Sequence, residues 1–307
     1  MQNTRHLLMI KPVNFGFNEQ TAVNNSFQKN SNKDVQQNAL QEFNAFVDVL
    51  RKNKIDVTVV EDSLFPQTPD SIFPNNWISF DADGSVFLYP MFAVNRRLER
   101  KPAVLEAIKS RFSVSKVFDL TKYETEGVFL EGTGSMVLDR ENKIAYASVS
   151  PRTNKIVLDE FCKITGYKPI TFNASDEHTV DIYHTNVMMC VAKSFAVVCL
   201  ESVTDEGEKV TLLNSLKQTG KEIINISLQQ LNHFAGNMLQ VINEDGELLL
   251  VMSTQAYHSL SASQTNALEK HCCIIHADLN HIETAGGGSA RCMMAEIFLP
   301  VKEKTAQ

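Results

Sequence analysis

The sequence predicts an α/β protein built as a closed fivefold ring of β-β-α-β units, and three observations carry that reading. Four hairpin-like segments recur, each an apolar run, a polar turn and a second apolar run: "NWISFDADGSVFLYPM", "GSMVLDRENKIAYASVS", "NVMMCVAKSFAVVCLES" and "NMLQVINEDGELLLVMS". A helical pattern and a further short strand follow each of them. The two ends of the chain are complementary, since "CMMAEIFLP" lacks a return strand and "HLLMIKP" lacks a partner. Pairing these two completes a fifth unit and removes two open sheet edges at once.

The elements follow in chain order. His6–Lys11 is the unpartnered first strand. Leu40, Phe43, Val47 and Leu50 recur at helical spacing, and "KIDVTVVED" reads as the strand behind them. The first hairpin turns at Asp83-Gly84, a pair suited to a tight hairpin. Val104, Leu105, Ile108 and Phe112 then mark a helix before "VSKVFDL". The next hairpins turn at Glu141-Asn142, Ala192-Lys193 and Asp245-Gly246. Helices over 153–165, 206–218 and 259–272 lead into "YKPITF", "KEIINISL" and "CCIIHADL". Only the pattern of elements repeats, and no linker or low-complexity stretch interrupts it, so residues 1–307 read as one domain.

Composition excludes several classes. An apolar fraction of 43% with 21% charged residues is ordinary for a globular chain. The net charge of −7 and the absence of a basic, aromatic-interleaved patch argue against a nucleic-acid partner. The longest apolar stretches are interrupted and too short for a membrane span. Cys162, Cys190, Cys199, Cys272, Cys273 and Cys292 form no disulfide framework and the N-terminus has no secretory pattern, so a reducing cytoplasm is the expected compartment. "HCCIIHADLNH" brings His271, Cys272, Cys273, His276 and His281 close in sequence. Its centre reads as a strand, where adjacent cysteines point to opposite faces, so no metal is expected. No GxGxxG or GxxxxGK[ST] motif appears, and no nucleotide or other organic cofactor is expected.

The register of the units locates a candidate site. The residues leading into the first strand of each hairpin are Asn76, Glu131, His184, Asn237 and Cys292, spaced 55, 53, 53 and 55 residues apart. In a ring of equivalent units they share one end of the central axis. A free cysteine is ordinarily a small buried hydrophobe. Sharing its register with a glutamate and a histidine points instead to a nucleophile, with His184 moving protons and Glu131 orienting His184 or binding substrate N–H groups.

At this point the motifs "LEGTGS" with Glu131, "YHTN" with His184 and "GGGSARCM" with Cys292 resemble a known group along the whole chain. It is the guanidino-group modifying enzymes: the arginine deiminase, dimethylarginine hydrolase and amidinotransferase superfamily, with its fivefold α/β propeller fold. "FPNNWIS" and "FAGNML" make the citrulline-utilisation hydrolases the most similar branch. The resemblance implies attack of Cys292 on a guanidino or ureido carbon, His184 protonating the departing amine and then activating water, and Glu131 holding substrate N–H groups. It implies no cofactor and a small amino-acid substrate, and it leaves the oligomeric state open, a dimer included.

One departure bears on substrate. Arginine deiminases carry an Asp two residues after the histidine and another on the first hairpin strand; Asn186 and Asn76 stand here. A ureido group is neutral and presents a carbonyl oxygen, and an amide supplies the donor it needs. The expected reaction is therefore hydrolysis of citrulline to ornithine, ammonia and carbon dioxide. An arginine or methylarginine deiminase is the main alternative; an amidinotransferase and a non-catalytic binding protein remain. Asn75 and Asn237 are candidate wall residues, Gly287 lies in a turn where backbone can approach substrate, and Arg97, beside Arg96, is a candidate for the substrate carboxylate, with Arg291 next to the nucleophile.

Overall fold

The computed structural model describes residues 1–30 and 34–302. Residues 31–33 and 303–307 of the expected domain lie outside the described residues. Alternation of apolar and polar turn residues produces five three-stranded sheets with one topology. Strand β1 (His6–Lys11) runs parallel to β2 (Asp56–Glu61), and the next two sheets are β3 (Ile78–Phe80), β4 (Ser85–Leu88), β5 (Lys116–Asp119) and β6 (Val137–Asp139), β7 (Ile144–Ser148), β8 (Lys168–Phe172). The fourth and fifth hold β9 (Met189–Val191), β10 (Phe195–Val198), β11 (Glu222–Asn225) and β12 (Leu239–Ile242), β13 (Leu248–Ser253), β14 (Cys273–Ala277).

In each of these four the hairpin is antiparallel, its return strand is central, and the third strand joins parallel after a helical crossover. The remaining sheet follows the same plan across the chain ends. Strand β15 (Ala295–Ile297) pairs antiparallel with β1, His6 opposite Ile297 and Leu8 opposite Ala295. The expected terminal pairing is thus present. The side chains of Gln2, Asn3 and Thr4 reach carbonyls of Leu138, Val191, Gln240 and Ile297, so one short segment ties four sheets together.

The crossover helices pack an apolar stripe on their sheets. In Val35–Lys52 the stripe is Ala39, Phe43, Phe46, Val47 and Leu50, and Leu40 sits at its edge, half-buried. Asp205 caps the helix Glu206–Gln218 by accepting from the Glu208 N–H at 2.8 Å. The helix expected over 259–272 is present as Ala262–Glu269, and a further short helix, Thr254–Ser259, precedes it. Leu260 is extended, and Ser261 with Gln264 forms a capping box that starts the second of these helices. Among the described residues no helix is long and apolar enough to cross a membrane.

Candidate active site

The five register-equivalent residues fall in tight turns just ahead of the strands rather than on the strands. Asn76 ends the turn Pro74–Asn76, Glu131 precedes Gly132–Ser135, His184 precedes Thr185–Met188, and Cys292 lies within Ala290–Met293. These turns differ in length, so β3 begins two residues after Asn76 and β6 six residues after Glu131. Asn75, Asn76, Glu131, His184, Asn186, Asn237 and Cys292 are each at most 2% exposed. Buried polar groups persist only when partnered, so their contacts define the site.

Glu131 and His184 form a buried hydrogen-bonded pair. Glu131 Oε2 lies 2.8 Å from His184 Nε2, and Oε1 accepts the Phe92 N–H at 3.0 Å. Burial alone raises the Glu131 carboxyl. Arg152, the His184 hydrogen bond and Arg96 outweigh that effect and hold it at about 2. Facing an anion, Nε2 carries the proton, and the lone pair of Nδ1 is left free. Burial pushes His184 down to about 4 against the pull of Glu131, so the imidazole is neutral near pH 7.

The thiol is dressed by amides. Asn237 Nδ2 is 3.3 Å from Cys292 Sγ and Asn186 Nδ2 is 3.5 Å from it. Asn237 accepts the Arg291 N–H through Oδ1 at 3.0 Å, which fixes Nδ2 toward the sulfur. Both amides thus turn a nitrogen toward the sulfur.

Cys292, His184 and Asn76 share the wall of a cleft with Asp70, Arg96 and Arg152. The space between them is about 10 Å³, roughly one water. Thr21 and Asn25, from the segment after β1, are part of its lining. Arg152 holds that segment through the Thr21 carbonyl (2.7 Å) and Asn24 Oδ1. A larger hollow of about 380 Å³, bounded by Phe27, Asp176, His178 and Glu283, contains none of the converging residues.

Several expected residues sit elsewhere. Arg97 does not line the cleft: its Nε donates to the Met91 carbonyl at 3.0 Å, and its guanidinium lies over the Phe129 ring. A short 3₁₀ turn over Val94–Glu99 turns Arg96 inward and Arg97 outward. Arg291 is committed to Glu296 and the Met294 carbonyl. Gly287, at φ +64°, is not part of the cleft wall, which Gly286 and Gly288 form; its carbonyl accepts from Tyr183 and Asn25. Asn75 stands behind Asn76, whose Nδ2 donates to its Oδ1 at 3.0 Å.

Sequence reasoning missed Asp70 and Arg152. Among the described residues, the buried Asp70 Oδ1 has no hydrogen-bond partner and Nη1 of Arg152 makes no hydrogen bond, lying 3.6 Å from Glu131 in an ion pair. Arg152 follows the return strand of its hairpin as Arg96 follows that of the preceding one. Extending the register beyond the first strands would have flagged it.

A sequence profile for N,N dimethylarginine dimethylhydrolase, eukaryotic, matches residues 11–299. No curated protein sequence matches. Among solved structures, the chain is similar to the substrate-bound N-terminal domain of ArgZ, an arginine dihydrolase from the ornithine–ammonia cycle in cyanobacteria. The TM-score is 0.76 at 17% identity, covering 96% of this chain and 98% of that one. Against full-length ArgZ the chain covers only 41%. A dimethylarginine dimethylhydrolase from Pseudomonas aeruginosa complexed with citrulline is also similar, with TM-score 0.67, 14% identity and coverage of 97% and 100%.

Proposed function

The chain belongs to the N,N dimethylarginine dimethylhydrolase family, cysteine-dependent C–N hydrolases of the guanidino-group modifying superfamily, and from that premise we propose that it hydrolyses the ureido group of citrulline. The products are ornithine, ammonia and carbon dioxide. The observation that carries this reading is the set of amides at the reacting end: Asn186 and Asn237 turn their nitrogens to the thiol, and Asn76 shares the cleft wall with it, where Asp70 is the one carboxylate among the lining residues. Amides suit a neutral group with a carbonyl oxygen.

The geometry supports the following sequence. Nδ1 of neutral His184 takes the Cys292 proton, Glu131 stabilises the resulting imidazolium, and Asn186 and Asn237 hold the thiolate. Sulfur attacks the ureido carbon, the imidazolium protonates the δ-nitrogen, and ornithine departs, leaving a carbamoyl thioester. His184 then draws a proton from water, which adds to that carbon and expels the thiolate. The carbamic acid released breaks down to ammonia and carbon dioxide. Arg152 lines the cleft, with Nη1 3.6 Å from Glu131, and its guanidinium suits the substrate carboxylate; Oδ1 of Asp70, without a hydrogen-bond partner among the described residues, suits its ammonium.

We also read the five sheets as one catalytic domain closed into a propeller, with these residues around its axis. The complex of the Pseudomonas aeruginosa relative with citrulline and the arginine dihydrolase activity of ArgZ are compatible with a ureido ligand.

A second reading, hydrolysis of arginine or a methylated arginine, is favoured by the family itself. It is also favoured by the buried charge: Asp70, Glu99 and Glu131 outnumber Arg96 and Arg152. Incubation of the protein with citrulline, arginine and dimethylarginine separately, following ornithine, citrulline and ammonia, decides between them. Ornithine from citrulline alone is the expected result. Citrulline formed from arginine or its methylated form, with citrulline itself inert, overturns the first reading.

A further inference from the structure

We propose that Glu99 is a positioning residue that acts through Arg96 to fix the sense of the Asn76 amide, making position 76 a donor to a ureido oxygen and a poor neighbour for a guanidinium. This rests on the citrulline reading above. Arg96 is 2% exposed and almost fully committed to protein. Its Nε donates to Glu99 Oε1 at 2.8 Å and Nη2 to Glu99 Oε2 at 3.0 Å, a two-pronged pair. Nη2 also reaches the carbonyls of Phe73 (3.3 Å) and Asp70 (3.4 Å). Nη1 donates to Asn76 Oδ1 at 2.8 Å.

A guanidinium has no acceptor, so the Asn76 atom facing it is the oxygen, and the amide nitrogen is turned the other way. One hydrogen of Nδ2 goes to Asn75 Oδ1. The second has no acceptor among the described residues. Nδ2 and His184 Nδ1 both border Gly134, lying 2.4 and 2.8 Å from where a Cβ at that position would be. The amide donor therefore stands beside the proton-transferring nitrogen. A ureido oxygen placed there accepts from it, and gains more as negative charge develops on that oxygen during attack. A guanidinium presents only N–H groups, and donor faces donor.

Glu99 holds this arrangement because Arg96 has competing anions. Asp70 Oδ2 is 3.8 Å from Nε and Glu131 Oε2 is 3.8 Å from Nη1. Without the bidentate grip of Glu99, the guanidinium turns toward those carboxylates and releases Asn76, whose amide then flips freely.

The test compares Glu99→Gln and Arg96→Lys with wild type, using citrulline and arginine as paired probes. Binding is measured by calorimetry in a Cys292→Ser background, where turnover does not interfere, and kcat and KM in the background with the cysteine. Lysine at position 96 keeps the charge balance with Glu99 but offers no second nitrogen to reach Asn76. It therefore covers the case in which Glu99→Gln fails to fold. The expected result is a shift of at least tenfold, in favour of arginine, in the ratio of the two dissociation constants in either variant, with the loss on citrulline falling mainly on kcat. The shared amino-acid head cancels in that ratio. Equal weakening of both ligands, or no change in either, overturns the proposal. Wild-type protein that turns over arginine and leaves citrulline untouched overturns the citrulline reading separately.

Discussion

Replacing Gly134 by alanine tests the site at its narrowest point. The backbone there is not left-handed, so alanine brings no conformational strain, and the whole effect comes from one added carbon. That Cβ would lie 2.4 Å from Asn76 Nδ2, 2.8 Å from His184 Nδ1 and 2.9 Å from His184 Cε1. Ordinary contact needs roughly 1 Å more. Neither neighbour can retreat freely: Glu131 holds the far side of the imidazole at 2.8 Å, and Arg96 holds Asn76 at 2.8 Å. Overpacking of this kind costs about 1–3 kcal/mol of stability. A displacement of about 1 Å in a catalytic group costs on the order of 10²-fold in rate. The assay pairs kcat on the preferred substrate with a thermal melt, and uses Gly16→Ala as the steric control, since a Cβ at Gly16 meets nothing within 4 Å. A Gly134→Ala protein with kcat within about threefold of wild type refutes the placement of Asn76 and His184 beside the reacting atoms.

Three further outcomes follow from the same geometry. His184 is depressed to about 4 in the fold against about 6.5 in the unfolded chain, so the unfolded state binds its proton first as pH falls. The contribution of His184 to stability is full above pH 6.5 and is lost toward pH 4, on the order of 3 kcal/mol; the gap between wild-type and His184→Asn urea midpoints, changing by that amount across the range, checks it. Asn186→Ala removes a donor 3.5 Å from Cys292 Sγ, and hydrogen bonds to charged groups contribute about 1.5–3 kcal/mol. Alkylation of Cys292 by a haloacetamidine at neutral pH should therefore slow by roughly tenfold or more. Arg152→Ala should raise KM by more than about tenfold while Arg97→Ala leaves it within about twofold, because only Arg152 lines the cleft.

Those residues also mark how far the sequence was legible. The four hairpins and the five third strands were visible because strands buried on both faces write short apolar runs into the chain, set apart by polar turns. The terminal pairing followed from counting unpaired edges. Cys292, His184, Glu131 and Asn76 were visible because a repeated topology converts equal sequence spacing into spatial convergence. Arg97 was chosen where Arg96 was needed, since adjacent arginines in a short turn carry no period to say which faces inward. Asp70 and the segment around Thr21 were illegible for a related reason. Their positions depend on side-chain hydrogen bonds, such as Asn18 and Thr21 to Asp70, that leave no pattern in sequence. The helix expected over 259–272 is present but shorter, Ala262–Glu269, because the capping box at Ser261 sets its start.

The contrast among the cysteines shows what the fivefold arrangement adds. Cys190 and Cys292 are similarly buried, at 6% and 2% exposure. Cys190 lies on β9 in an apolar cluster, and burial pushes its thiol up to about 12, which leaves it inert. Cys292 also packs against apolar neighbours, Met293 among them, yet its sulfur meets Asn186 from the unit of β9 and Asn237 from the unit of β12. Its candidate proton acceptor comes with the β9 unit, and that histidine's anchor with the β6 unit. Local sequence around Cys292 supplies none of these groups. The sulfur's polar environment therefore exists only when separate units are docked, which makes the setting of this one thiol a property of the assembled sheets rather than of the turn that carries it.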